Sequence, residues 1–258
     1  MELTPTRFLG RTCTVDQTFK LILGKVEDEL RHVYSTEMAA LPVGSRQPTW
    51  DQWHGVRGVG GYRPKGGWHA KGKAIDLNYS RNGYSATLTQ TSRGPVYGGE
   101  AAGGDFRGVR RAFIEAVSRA CAQAGVPCDL SARGTGEATG AVWDRWHLAS
   151  EAVRAYLAPW YPSVDDYDAG EDDVLPGVTL ASIPVQVRVD YWALRVPLVV
   201  GAPSLHPRLT RNPAKGLMDL QRAVVVALCD VGGLRWGACD FGSESGDIQH
   251  FDAGHRVR

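Results

Sequence analysis

Gly66-Gly67-Trp68-His69-Ala70-Lys71-Gly72-Lys73-Ala74-Ile75-Asp76-Leu77-Asn78-Tyr79 is the stretch on which the reading of this chain turns. Two residues of metal-ligand type, His69 and Asp76, stand on either side of Gly72. The run from Ala74 to Asn78 alternates, which predicts a strand with Ile75 and Leu77 on one face and Ala74, Asp76 and Asn78 on the other. A carboxylate on an inward strand face must be paired or bound to a metal, because burying it alone is costly. From this segment alone a hydrogen-bonded structural pair and a metal site weigh equally, so the rest of the chain must supply the deciding partner.

Seven histidines are present, and the two weighed as a third ligand each follow an aspartate by three residues: Asp144-Arg145-Trp146-His147 and Asp247-Ile248-Gln249-His250. A catalytic zinc site takes three protein ligands from His, Asp or Glu and leaves its fourth position to water. A nearby carboxylate that is not a ligand then takes the proton from that water. Asp-x-x-His supplies such a base and such a ligand from one short segment. His69 and Asp76 with either His147 or His250 would complete the set.

The chain has 258 residues, of which 43% are hydrophobic and 22% charged, enough to bury a full core. Its net charge of +1 gives no electrostatic case for nucleic acid or an anionic membrane. No apolar run is long enough to span a bilayer, since the best, Val196 to Ala202, is short and holds Pro197 and Gly201. The N-terminus lacks an apolar signal core and a cleavage site, so synthesis and folding are expected in the cytoplasm. Five cysteines without a CxxC pair read as reduced, mostly buried residues. A Cys121–Cys128 bridge is open to the chain, but nothing in the sequence demands it.

Periodicity predicts a helix from Val15 to Tyr34, a second from Asp105 stopped by Gly125-Val126-Pro127, and a third from about Trp143 to Leu157. A fourth is expected over Ala214 to Cys229, after Pro213. Leu41 to Gly67 reads as loops and short strands, and Ser131 to Gly140 as a loop. Val185 to Val189 alternates as a strand, Val196 to Val200 is a candidate for another, and the tail reads as strand, loop, strand. The acidic stretch Val164 to Val174 reads as a solvated loop or linker. The fold class is α+β, with short, mostly antiparallel strands segregated from the helices. The two chemically suggestive segments flank a long helical region, as expected of an insertion that keeps both on one sheet.

Trp68 to Asp76, W-H-A-K-G-K-A-I-D, resembles the S-x-H-x-x-G-x-A-x-D motif of the zinc D-alanyl-D-alanine carboxypeptidase and dipeptidase family. That family shares its core with the phage L-alanyl-D-glutamate endolysins and the lysostaphin-type (LAS) metallopeptidases. The tail from Arg235 to Asp252, R-W-G-A-C-D-F…S-G-D-I-Q-H-F-D, is similar to the family's W-G-G-x-(W/F)…D-x-M-H-F-(D/E) ending. The resemblance implies one domain over 1–258, with a small antiparallel sheet carrying the zinc site and residues 80–233 as a helical insertion. It implies zinc held by His69, Asp76 and His250, with Asp247 as general base. It also implies an upstream arginine for the substrate carbonyl or carboxylate, best matched by Arg63 in Tyr62-Arg63-Pro64, with Arg57 as fallback. The motif's serine is Gly67 here, which removes one hydrogen bond near the site.

Trp143 to His147 is also similar to the Glu-Pro-Trp-His ending of some family members. It falls, however, in a helix that places His147 beside Glu151, and the tail context favours His250. Trp50, Trp53 and Trp68 are candidates to line a cleft for sugar or peptide, and Trp68 is the one carried forward as substrate-binding; packing is the alternative for all three. The substrate implied is a peptidoglycan stem peptide with D-amino acids at the cut bond. Without a signal peptide, such an enzyme would act on the wall after lysis or through a holin, contractile or toxin-delivery system. A cytoplasmic D-Ala-D-Ala dipeptidase would need no such route. A metal-bearing binding module that no longer cuts is the alternative of a different class, and Asp247 is the residue that argues against it. A partner-recognition role for residues 80–233 is a third alternative.

Overall fold

A computed structural model describes residues 1–64, 67–78, 82, 106–127, 137–161, 174–194, 217–240 and 247–254. The chain begins with a hairpin absent from the sequence expectation. Strands β1 (Leu3–Phe8) and β2 (Arg11–Asp16) pair antiparallel, from Leu3 opposite Asp16 to Phe8 opposite Arg11. Leu9 and Gly10 both take left-handed angles (φ 49° and 74°), as a two-residue hairpin turn requires. Leu9 tolerates this because its side chain is buried and its N–H donates to Glu27 Oε2 at 3.0 Å.

Strand β2 runs straight into helix α1 (Gln17–Ala40), so Val15 closes a strand rather than opening a helix. Asp16 caps α1, its Oδ1 accepting from the Thr18 N–H at 3.0 Å. Phe19, Leu23, Val26 and Leu30 form the buried stripe that the periodicity predicts. A short helix, α2 (Trp50–His54), opens on a reciprocal capping box between Thr49 and Gln52. Strand β3 (Val59–Gly60) follows, then a 3-10 turn over His69–Lys71 and strand β4 (Ala74–Leu77). All four residues of β4 are buried, so the strand is covered on both faces.

Among the described residues, four helices lie between the two motif segments: α3 (Phe106–Gln123), α4 (Thr139–Leu157), α5 (Val185–Leu194) and α6 (Arg222–Val226). Helix α6 continues as a π turn over Ala227–Val231. Helix α3 packs on α4 and α5, α4 on α6, and the π turn on α1. Their apolar faces share one buried cluster with Trp236 and Phe251 of the sheet. A wholly buried carboxylate, Asp190, ties three of these helices together. It accepts from Arg119 (2.6–3.1 Å), Tyr156 Oη (2.7 Å) and Gln186 Nε2 (2.9 Å).

The strand expected over Val185–Val189 is helix α5 instead. Val187, Tyr191 and Leu194 are buried at helical spacing, while Val185 and Val189 face out. The alternating valines imitate a strand, but burying that stripe and anchoring Asp190 favour the helix. The helix expected over Ala214–Cys229 starts only at Arg222, with 217–221 non-helical and 214–216 outside the described residues. Residues 196–200, 164–173 and Cys128 also lie outside them. Among the described residues, no helix is long and apolar enough to cross a membrane.

Strands β5 (Arg235–Trp236) and β6 (His250–Asp252) complete an antiparallel sheet of order β3-β4-β6-β5. The fold is therefore α+β, with the two motif strands adjacent at its centre.

Candidate metal centre

Pairing of β4 with β6 places Ala74 opposite Asp252, Ile75 opposite Phe251 and Asp76 opposite His250. Directly opposed residues share a sheet face, so Asp76 and His250 emerge side by side. His69 reaches the same spot from the 3-10 turn just before β4. Gly72 ends that turn at φ 63°, and a Cβ there would lie 2.6 Å from the Asp16 backbone nitrogen. That space is needed because the Asp16 N–H donates to the Gly72 carbonyl at 2.8 Å, fastening the hairpin to the turn. Glycine is the residue that permits both the angle and the approach.

Three donor atoms converge. Asp76 Oδ1 lies 3.0 Å from His250 Nδ1 and 3.1 Å from His69 Nε2, and the two imidazole nitrogens are 3.1 Å apart. A tetrahedral ion with bonds of about 2.0–2.1 Å sets its ligands roughly 3.3 Å apart. The triangle is thus already close to the size a metal needs. The three residues are 4–8% exposed.

Each ring is turned by a partner behind it. His69 Nδ1 lies 2.7 Å from the Gly61 carbonyl, which can only accept, so the proton sits on Nδ1 and the Nε2 lone pair faces the centre. His250 Nε2 lies 3.3 Å from Asp252 Oδ2, which frees Nδ1 in the same way. Asp252 is gripped in turn by the Arg235 fork (2.8 Å to each oxygen) and by the Gly254 N–H at 2.8 Å. Such outer partners set the tautomer and basicity of metal-binding histidines. The sequence reading assigned no role to Gly61, Asp252 or Arg235. Asp252 and Arg235 stood within the tail motif, while Gly61 carries no signal beyond strand register.

Charge in the centre is strongly coupled. Burial opposes ionisation of Asp76, but the adjacent His250 and His69 rings outweigh it and hold the carboxyl well below its usual range. Burial likewise disfavours a charged His250, yet Asp252 and Asp76 push it up to about 9. These donors, two imidazole nitrogens and one carboxylate oxygen, suit a divalent ion such as zinc, with a coordination position left over.

Asp247 sits beside this group. The Gly237 backbone approaches so closely that a Cβ on Gly237 would lie 2.3 Å from the Asp247 carbonyl oxygen. Asp247 N–H donates to the Gly237 carbonyl at 3.2 Å, and the His250 N–H to the Asp247 carbonyl at 3.1 Å. Trp236 anchors the turn, donating from Nε1 to the Ile248 carbonyl at 2.7 Å. Asp247 Oδ1 is enclosed and finds no hydrogen-bond partner among the described residues. Burial, with the field of Asp76 added and that of His250 opposing, raises its carboxyl to about 7. A carboxylate with an unpaired buried oxygen and an affinity near neutrality is suited to proton transfer.

Arg63 is the arginine that reaches the centre. Its Nη2 hydrogen-bonds Asp76 Oδ2 and lies 2.7 Å from His69 Nε2, while the side chain stays 57% exposed. Arg57 is exposed, and its N–H donates to Asn78 Oδ1 at 2.7 Å. Trp68 is half-buried, with Lys71 Nζ 4.5 Å and the Arg235 guanidinium 5.8 Å from its ring centre, so it braces the arginine that grips Asp252. Trp50 and Trp53 stack on each other at 5.4 Å and pack against Tyr34. His147 stays out of the centre: it stacks on Trp143 at 4.5 Å on α4, and its Nε2 is 2.9 Å from Glu151.

No family model matches the chain, and no curated protein or solved structure is similar enough to count as a match. What the centre does must be read from its own donors and fields.

Proposed function

We propose that the protein is a zinc-dependent peptidase that hydrolyses peptide bonds in peptidoglycan stem peptides or other D-alanine-containing peptides. The observation that carries this reading is the pairing of a three-donor centre with Asp247, whose enclosed oxygen has no hydrogen-bond partner among the described residues. A site that only bound metal would have no use for a base of that kind. When bound, zinc supplies a Lewis acid and lowers the pKa of water at its open position to near neutrality.

The chain's own residues supply the rest. Asp247 takes the proton of the attacking water and returns it to the leaving amine, a transfer favoured when the base titrates near the working pH. Asp252, held by Arg235, keeps the His250 ring in the orientation that exposes Nδ1, and the Gly61 carbonyl does the same for His69. Arg63, at the exposed edge of the centre, offers a cation for a substrate carboxylate or for the developing oxyanion. The D-amino-acid preference rests on the motif resemblance, and the half-exposed Arg63 is compatible with a terminal carboxylate.

The test is mass spectrometry of defined stem pentapeptides and D-Ala-D-Ala incubated with zinc-reconstituted protein, with and without chelator, beside Asp247→Asn. Metal-dependent release of a fragment, absent in the variant, supports the proposal. Stoichiometric zinc without cleavage of any of these peptides would instead favour a metal-bearing binding module.

A further inference from the structure

The lone pairs that would hold an ion already serve an arginine. Arg63 Nη2 donates to Asp76 Oδ2 and lies 2.7 Å from His69 Nε2. Since His69 Nδ1 gives its proton to the Gly61 carbonyl at 2.7 Å, Nε2 is the acceptor of the Arg63 N–H. That nitrogen has one lone pair in the ring plane. The guanidinium and a metal ion therefore exclude each other at His69.

The surroundings allow an exchange between the two. The Arg63 side chain is 57% exposed, and the backbone beside it is fixed by the Tyr62 N–H, which donates to the Thr14 carbonyl at 2.7 Å. The guanidinium can swing into water without moving the strands. Asp76, by contrast, is 4% exposed, and a carboxylate at that depth needs cationic partners whenever no metal is present.

We propose that Arg63 is a displaceable placeholder for the metal. It occupies the donors of the metal-free centre, swings out when the ion enters, and is thereby released to meet an anionic or carbonyl group of the substrate. Metal loading and readiness of the substrate clamp become one event. This rests on the metal-centre reading and deepens it by assigning the control of loading to one side chain.

Holding the centre in a closed form lowers the apparent metal affinity by the fraction of molecules that are open. If about nine molecules in ten are closed, removing Arg63 tightens binding about tenfold. The experiment is a chelator-competition titration of metal-stripped full-length protein with Zn²⁺ alone, for wild type, Arg63→Ala and Arg63→Gln. Thermal unfolding is then followed with and without saturating Zn²⁺. Both variants are expected to bind Zn²⁺ about tenfold more tightly. They are also expected to unfold at lower temperature than wild type without metal, with the difference narrowing once zinc is saturating. Equal or weaker affinity in both variants overturns the placeholder while leaving the metal centre standing. Absence of Zn²⁺ binding in all three proteins overturns the centre and the placeholder together.

Discussion

Asp76 and His250 stand 174 positions apart in the chain and 3.0 Å apart in the fold, Oδ1 to Nδ1, because they are register partners across β4 and β6. Losing either donor, or His69, removes one corner of a triangle that has no spare ligand grouped with it among the described residues. His69→Ala, Asp76→Ala and His250→Ala are each expected to weaken zinc binding by at least about 100-fold, the upper end of what loss of an outer partner costs. His147→Ala is expected to leave it unchanged, since His147 is engaged with Trp143 and Glu151. Zinc content after dialysis against a weak chelator separates the four.

The contact of Arg235 and Asp252 behind His250 predicts a smaller effect of the same sign. Asp252→Asn and Arg235→Gln are expected to reduce zinc affinity by about 10–100-fold while keeping one zinc per chain at saturation. Isothermal titration at fixed pH measures it. Unchanged affinity in both would mean that the ring of His250 is oriented by other contacts.

Zinc binding should strengthen as pH rises. His250 is raised to about 9 in the metal-free protein, so at pH 7 it carries a proton that the ion must expel. Apparent affinity is expected to gain about tenfold per pH unit between pH 6 and 8 on account of that one proton. The metal-free fold should respond in the opposite sense. A histidine whose folded pKa exceeds its unfolded value gives stability that is fully present below about 6.5 and fades as pH climbs toward 9. Proton release on titration and a pH series of unfolding midpoints test the two halves separately.

Asp247→Asn is expected to retain zinc, lose about 10²–10⁴-fold in peptidase rate and gain stability without metal at pH 7–8. The sign follows from its carboxyl being raised to about 7 by burial. An unfolded chain ionises this group near pH 4, so folding is opposed increasingly as pH rises from 4 to 7, and the neutral amide removes that opposition. With an ion bound nearby, the positive charge draws the carboxyl back down, and the acidic limb of kcat/KM is expected below pH 7. A variant that lost activity and stability together would point to a structural role for Asp247.

Much of the centre was legible because its chemistry is packed into two short segments. Within Trp68 to Asp76, the ligand spacing depends only on one turn and one strand, both local. The ending from Asp247 to Asp252 is equally local. The pieces that sequence could not supply all depend on contacts between distant segments. The Gly61 carbonyl becomes a partner of His69 only once β3 has paired with β4, and the Arg235–Asp252 grip needs β5 beside β6.

Helices were read correctly where a long apolar stripe repeats, as in α1 and α4. The reading failed where short β-branched runs leave both periods open. Val185-Gln186-Val187-Arg188-Val189 alternates on paper, yet Val187 joins Tyr191 and Leu194 in a helical stripe above the buried Asp190. The opening hairpin was missed for a related reason. Half of its strand residues are threonine or arginine, and its buried contacts lie on α1 and on the Gly72 turn.

The ladder between β4 and β6 also bears on when the candidate centre is assembled. Joining these strands closes a long loop of chain, so their pairing gains little until the helices between them have already condensed. A half-assembled molecule can hold His69 and Asp76 in place and still lack its third donor. On the metal-centre reading, metal capture would then report on folding: a chain holding an ion at all three donors has, by that act, brought its two remote segments together.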